Sequence, residues 1–312
     1  MNPLVSVIII TRNRPEWLDR CIISLLKQDY SPFEIIVVDS STNDLTKKVV
    51  ERFFEVRYFS LKLKENTRPQ SYNFGVKQAK GEIVVFIDDD VEVAKDWLNK
   101  LVSCYKDKDI SGVGGRVIVP GELSFGVSSK KIGRIYRGRI LGNFSCDFDK
   151  SFEVDTLQGC NMSFRKEVFL KIGFFDERFR FRYVKNYLTE TDFCMRLRKA
   201  GYKLLFNPKA VVYHYAVARP NPNNLATRFE LSMGDTFFFL KNFGFFSQQT
   251  PYFLFIDPVI NTLRLLLGGS IRHCRLRNIR IKNTLLALAY LSGLFFGLFF
   301  YFKNRRNPRG LP

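Results

Sequence analysis

The chain has 312 residues, 46% of them hydrophobic, enough for one large domain or two smaller ones around a sizeable core, which excludes disordered and low-complexity classes. Its 49 Lys+Arg against 30 Asp+Glu give a formal net charge of +19, so an anionic partner or surface is expected. The cysteines Cys21, Cys104, Cys146, Cys160, Cys194 and Cys274 form no CxxC pair, and with only His214 and His273 a zinc site built from Cys and His is not expected. The opening MNPLVSVIII lacks the basic start and small-residue cleavage site of a signal peptide, so a reducing, cytosolic compartment is the expectation.

Val5 to Ile10 is a continuous β-branched run, the pattern of a strand buried on both faces. Trp17, Leu18, Cys21, Ile22, Leu25 and Leu26 then recur at helical spacing behind Pro15, and Glu34 to Val38 forms a second buried strand, completing a βαβ unit. A helix over 43–54, a short strand over 56–59, a helix over 69–79 and a strand over 82–87 follow. A helix over 94–105 and a strand over 112–119 continue the alternation. Such alternation predicts an α/β fold, a Rossmann-like, mostly parallel sheet with helices on both faces. The pattern ends near Tyr215; Arg219 to Asn224 is a run of turn formers and helix breakers, and beyond it the chain is basic and rich in Phe. The expected division is 1–218, with halves of about 1–119 and 120–218, and 219–312.

In open α/β sheets ligands bind beyond the carboxyl ends of the strands. Here those ends read Thr11-Arg12-Asn13-Arg14, Asp39-Ser40-Ser41 and Asp88-Asp89-Asp90. No GxGxxG follows the first strand and no GxxxxGK[ST] occurs anywhere, so dinucleotide and P-loop binding lose their main support. Three consecutive aspartates after a buried strand repel one another and lose solvation, a conflict that a divalent cation resolves. Alternation in an extended segment would put Asp88 and Asp90 on one side and Asp89 on the other, and hard oxygen ligands suit Mg²⁺ or Mn²⁺. A solvated acidic turn is the alternative.

The blocks VSVIIITRNR, EIIVVDSS and GEIVVFIDDDVEV, then GGRV, LQGCNMSFRKEVFLKIGFFDE and TETDFCMRLRKAGYKLLFNPKAVVYHY, resemble in order the family 2 glycosyltransferases. The resemblance implies the nucleotide-diphospho-sugar transferase (GT-A) fold and a metal cofactor, Mn²⁺ or Mg²⁺. It implies that Asp39 reads a uracil or thymine base, that Asp88 contacts the ribose, and that Asp90 coordinates the metal. Thr11, Arg14, Asn73 and Asp89 would line the nucleotide-sugar side, Gly159, Cys160 and Asn161 the acceptor loop, and His214 a second metal position. The family's Glu-Asp-x-Asp motif aligns with Thr189-Glu190-Thr191-Asp192, which makes Glu190 the catalytic base with Asp192 as the other choice. Thr189 and Asp192 also fit a capping box at a helix start. Tyr72 departs from the Arg that many relatives carry before the residue matching Asn73, and Arg68 or Lys77 is a candidate substitute.

From Arg219 onward there are thirteen Lys/Arg against three Asp/Glu, with Phe237-Phe238-Phe239, Phe245-Phe246 and Phe253-Leu254-Phe255 interleaved. This suits an anionic bilayer. Leu285 to Phe302 is uncharged, about 27 Å of helix and marginal for a span. Arg272, Arg275, Arg277, Arg280 and Lys282 precede it, and Lys303, Arg305, Arg306 and Arg309 follow. Positive charge at both ends argues for both on the cytoplasmic side, as a peripheral or re-entrant element partnered by Phe253 to Leu267. A buried helix in a helical subdomain is the alternative. Lys130, Lys131, Arg134, Arg137 and Arg139 form another basic cluster, suited to a lipid-linked pyrophosphate or to a solvated loop.

The expected function is an inverting, metal-dependent transfer of a sugar from a UDP- or dTDP-linked donor to a glycan or lipid-linked acceptor at an anionic membrane surface. A non-catalytic nucleic-acid-binding protein is the competing class; charge and aromatic content motivate it, but no RRM or zinc-finger signature is present, and no nucleic acid is expected as partner. A sugar nucleotidyltransferase would want a GxGTR-type loop near the first strand, which is absent.

Overall fold

The structure, a computed structural model, describes residues 2–61, 68–122, 128–136, 139–179, 188–215, 224–247, 250–267 and 276–305. Positions 219–223, Arg137, Arg272, Arg275, Arg306 and Arg309 lie outside the described residues. The chain splits into two compact units. The first comprises Met1–Ile135, Ile140–Asp176 and Thr189–Val217; the second comprises Tyr136–Arg139, Glu177–Leu188 and Ala218–Pro312.

The first unit opens with β1 (Val5–Thr11), α1 (Pro15–Leu25), β2 (Phe33–Asp39), α2 (Leu45–Val50), β3 (Val56–Ser60), α3 (Arg68–Gln78) and β4 (Ile83–Asp88). It continues through β5 (Val91–Val93), α4 (Trp97–Ser103), β6 (Ile110–Ile118) and β9 (Phe152–Glu153); β7 (Arg134–Tyr136) and β8 (Arg139–Leu141) form a separate two-stranded ribbon whose residues Tyr136 and Arg139 are counted with the second unit. β10 (Met162–Arg165), α5 (Glu167–Ile172), α6 (Thr189–Lys199) and β11 (Lys203–His214) complete the first unit. The main sheet runs β3-β2-β1-β4-β10-β6-β11-β5, with β9 on β11. Pairing is parallel among β3, β2, β1 and β4 and between β6 and β11, while β10 runs antiparallel between β4 and β6. Val5, Val7, Ile8 and Ile9 of β1 and Val84 to Ile87 of β4 are fully buried, as helices covering both faces require.

The glycines of Gly112-Val113-Gly114-Gly115 serve close packing inside β6 and belong to no phosphate loop. A Cβ on Gly115 would lie 2.0 Å from the Ala210 carbonyl oxygen and 2.5 Å from Asn161 Nδ2. Gly115→Ala is therefore expected to lower unfolding free energy by about 2–3 kcal/mol, read as a drop in the urea midpoint at unchanged m-value. An unchanged midpoint would show that β11 yields without cost.

The second unit contains α7 (Leu225–Phe243), α8 (Asp257–Leu267) and α9 (Leu276–Arg305). Asn224 caps α7, its Oδ1 accepting from the N–H groups of Ala226 and Thr227 at 2.9 and 3.2 Å. Among the described residues one stretch, Asn283–Asn304 of α9, is long and apolar enough by length and composition to cross a membrane.

Candidate active site

Strand register assembles the site. Thr11 pairs with Asp39 across β1 and β2, and Ile10 pairs with Asp88 across β1 and β4, so three polar strand ends sit side by side. The fourth contribution comes from the far edge: β11 pairs antiparallel with β5, placing His214 opposite Val91, and the Tyr215 N–H donates to the Asp90 carbonyl at 2.9 Å. A turn at Asp89-Asp90 reverses the chain between β4 and β5.

The three aspartates are buried and diverge. Asp89 faces β1: its Oδ2 accepts from Thr11 Oγ1 at 2.8 Å and its Oδ1 from Arg14 Nη1 at 3.1 Å. Burial pushes Asp89 up to about 6, against the pull of Arg14 and Thr11. Asp88 and Asp90 turn to the other side, where one ligand atom each from Asp88, Asp90 and His214 lie within 4.8 Å of one another. His214 Nε2 is 3.1 Å from Asp90 Oδ1 and 3.9 Å from Asp88 Oδ2. Burial acts to lower the His214 pKa, but hydrogen bonds to Asp90 and Cys160 and the surrounding negative charge outweigh it and push the imidazole up to about 11. Burial likewise acts to raise Asp90, yet His214 and Arg14 hold it below the usual carboxylate range.

This donor set fits a divalent cation. The two carboxylates suit a hard divalent cation such as Mn²⁺ or Mg²⁺, and His214 would join them only after giving up its proton. Asp88 Oδ1 is shut off from solvent and makes no hydrogen bond among the described residues, with Arg68 Nη1 3.1 Å away as its ion-pair partner.

Asp39 is 2% exposed, and its carboxylate accepts from the Ser41 N–H and from Tyr58 Oη, each at 2.8 Å. Tyr58 was not among the sequence candidates, because only the β2–β3 register brings it there. Tyr58→Phe removes one hydrogen bond to the group expected to read the base. At about 1 kcal/mol this should raise the donor KM about fivefold at unchanged kcat; initial-rate kinetics on the donor provide the check.

On α3, Arg68 and Tyr72 stand one turn apart. Tyr72 is fully buried against Phe86 and Phe175, and its Oη lies 3.4 Å from both the Gly159 carbonyl and Arg68 Nη1. Of the two basic substitutes, Arg68 reaches the site, with Nη2 3.3 Å from Asp88 Oδ2. Lys77 instead lies 5.5 Å from the centre of the Phe174 ring. Gly159 adjoins Arg68 and the candidate base, since a Cβ there would lie 3.4 Å from Arg68 Nη1 and from Glu190 Cδ and Oε1.

Glu190, in the first turn of α6, keeps Oε2 shut off from solvent and without a hydrogen bond among the described residues. Burial raises its pKa, opposed by the Arg68 charge. Asp192 has a different setting: it is fully buried, and its Oδ2 accepts from Arg196 Nε at 3.1 Å. Arg196 also donates to the carbonyls of Ile172 and Phe174 at 2.9 and 2.6 Å, so the pair ties α6 to the end of α5. The hydroxyl of Thr189 makes no hydrogen bond among the described residues, leaving the expected capping box unformed on that side.

The remaining candidates hold the frame. Asn73 spends both ends of its amide on the Phe175 main chain, each at 3.0 Å. Asn161 donates to the carbonyls of Arg116 and Ala210 and accepts from Trp97 Nε1, joining β6, β11 and α4. Cys160 is 3% exposed beside His214.

The sheet order, the antiparallel β10 inserted in it and the acidic corner at the strand ends define the GT-A class of nucleotide-sugar transferase fold. A solved mannosyltransferase from Pyrobaculum calidifontis, in complex with GDP-Man and Mn²⁺, superposes with a TM-score of 0.61 at 17% identity over 98% of this chain and 88% of that one. The family model for glycosyl transferase family 2 matches residues 6–173, more than half of the chain, and the chain belongs to that family. It is 28% identical over 222 residues to a glucosyl-dolichyl phosphate glucuronosyltransferase of Haloferax volcanii, 67% of this chain and 68% of that one. It is 30% identical over 177 residues to a GalNAc(5)-diNAcBac-PP-undecaprenol beta-1,3-glucosyltransferase of Campylobacter jejuni, 54% of this chain and 56% of that one. The chain spans only part of several curated relatives, 25% of one and 18% and 17% of two others.

Proposed function

We propose that the protein is an inverting glycosyltransferase that moves a sugar from a UDP- or dTDP-linked donor to a lipid-linked saccharide on the cytoplasmic side of a membrane. The observation that carries this reading is the convergence of Asp88, Asp90 and His214 at the ends of strands whose other members present Asp39 and Thr11. The lipid-linked acceptor is supported by the names of the Haloferax and Campylobacter relatives and by the basic, apolar second unit.

Asp88, Asp90 and His214 would hold Mn²⁺ or Mg²⁺, which when bound neutralises charge developing on the departing diphosphate. Asp39, backed by Tyr58, accepts from the base N–H. Arg14 and Thr11 fix Asp89 and thereby the turn that carries Asp90. Glu190 is the base: its Oε2 makes no hydrogen bond among the described residues, whereas Asp192 is paired with Arg196. Glu190 takes the acceptor hydroxyl proton, the oxygen attacks the anomeric carbon in line, and the nucleoside diphosphate leaves with the bonding pair.

The test is nucleoside diphosphate release from a panel of UDP-, dTDP- and GDP-sugars with short lipid-pyrophosphate saccharides, with and without Mn²⁺. Acceptor-dependent, metal-dependent release from a UDP or dTDP donor is expected. Turnover indifferent to metal, or restricted to GDP-sugars, overturns the reading.

A further inference from the structure

α9 has two unlike faces. On one, Gly293 and Gly297 bring the backbone against α7: a Cβ on Gly293 would lie 2.3 Å from the Phe229 carbonyl oxygen, and one on Gly297 would lie 2.6 Å from Thr236 Cβ. Ser232 Oγ donates to the Tyr290 carbonyl at 2.7 Å, and Phe237 and Phe300 pack ring to ring at 4.9 Å. From Phe229 at Gly293 through Thr236 at Gly297 to Phe237 at Phe300 the contacts advance along both helices, so α7 and α9 run parallel. The opposite face carries Leu285, Leu288, Leu291, Phe295, Phe299 and Phe302, spaced three and four apart, each 41% to 70% exposed. Unexplained, it is a large exposed apolar patch. The sequence places Arg277, Arg280 and Lys282 before this stretch and Lys303 and Arg305 after it, matching an anionic lipid surface.

The register decides between crossing a bilayer and lying on one. The midpoint of Asn283–Asn304 falls at Gly293 and Leu294. The α7 backbone against that point is Phe229, flanked by Arg228 and Glu230, and Asp235 adjoins the residue facing Gly297. Were α9 to cross, α7 would be carried with it and these three ionisable residues would lie near the centre of the hydrocarbon, where charge is strongly disfavoured. α8, with 11 residues, is too short to span alongside.

We propose that α9 lies flat in the interface of an anionic membrane, its Leu/Phe stripe embedded among the lipids and its glycine face on α7. This deepens the membrane part of the function proposed above and rests on it only for the location of the acceptor. The basic flanks that the sequence places at both ends of α9 then lie on one side of the bilayer, and the charged residues of α7 stay away from the acyl chains.

The experiment uses the full chain, reconstituted by detergent removal into vesicles of phosphatidylcholine alone or with phosphatidylglycerol. Leu288→Trp, Phe295→Trp and Phe302→Trp are compared by quenching with lipids brominated at shallow or deep acyl positions, the parent chain subtracting its native tryptophans. A flat helix gives shallow quenching of equal strength at all three positions. It also gives vesicle flotation that needs phosphatidylglycerol and that Phe295→Glu with Phe299→Glu reduces at least tenfold. Deep quenching at 295 with shallow quenching at 288 and 302, which lie about 21 Å apart along a helix axis, means a span and overturns the proposal. Absence of quenching in a chain that dimerises in solution overturns it in favour of a second copy covering the stripe. Nucleotide release measured on the same samples reports separately on the catalytic reading, so either idea can fail without the other.

Discussion

Replacing Glu190 by glutamine is expected to cut sugar transfer by about 10²–10⁴-fold while leaving donor binding intact, the range for loss of a positioned general base. The same change is expected to raise the melting temperature of the donor-free protein by about 2–4 °C. Both follow from one observation, a carboxylate whose Oε2 is closed off from water and has no hydrogen bond. Burial raises the folded-state pKa of Glu190, with Arg68 only partly opposing. A raised folded-state pKa means that any stabilisation is complete at low pH and is lost as pH rises through that value. Above that pH the ionised side chain opposes folding, and the uncharged isostere relieves it. The carboxylate is also the form a base requires, so the acid limb of kcat/KM should fall at a pH above the usual glutamate range. Calorimetry and a pH–rate profile provide the check; a less stable, fully active Glu190→Gln protein would move the base to Asp192 or elsewhere.

Asp90→Ala is expected to reduce turnover by about 10²–10³-fold, several kcal/mol of transition-state charge stabilisation at about 1.36 kcal/mol per decade. It should also abolish the extra thermal stabilisation that Mn²⁺ gives in the presence of a sugar nucleotide, a mass-action effect on the folded state. Chelator treatment of the parent protein should reproduce the loss and add nothing to the variant. The expectation rests on Asp90 standing between His214 and Arg14, at 3.1 and 3.0 Å, which hold its carboxylate below the usual range. Equal Mn²⁺ responses in parent and variant would mean that the metal, if used, sits elsewhere.

The catalytic fold was legible because its signals are local. Runs such as VSVIII and EIVVFI can bury both faces only inside a covered sheet, so strand positions followed from composition and period alone. The polar strand ends were legible for the same reason, since a hydrophobic run must stop where a ligand begins. What was not legible depends on register and crossover. β10 is four residues long and carries no period of its own; it becomes a strand because β4 and β6 leave a gap that its backbone fills. Arg68 and Lys77 were open alternatives in the sequence until α3 carried Arg68 to Asp88 and left Lys77 on Phe174. The motif alignment favoured Glu190 over Asp192, and the arrival of Arg196 at Asp192 separates their chemistry.

The second unit divides in the same way. The apolar run of 285–302 and its basic flanks are properties of the chain itself, because hydropathy and charge need no neighbour to be counted. The sequence pointed to Phe253–Leu267 as the partner of that run. The structure gives α8 a contact there, Asn261 Nδ2 to Tyr290 Oη at 3.2 Å, but the close glycine packing belongs to α7. Which charged residues lie level with the middle of α9 is therefore a tertiary fact, set by where two glycines allow backbones to meet. The sequence by itself determined a strongly basic chain with acids at its strand ends. Packing alone decided which acid stays unpaired and which face of the last helix stays bare, because both depend on side chains brought together from distant parts of the chain.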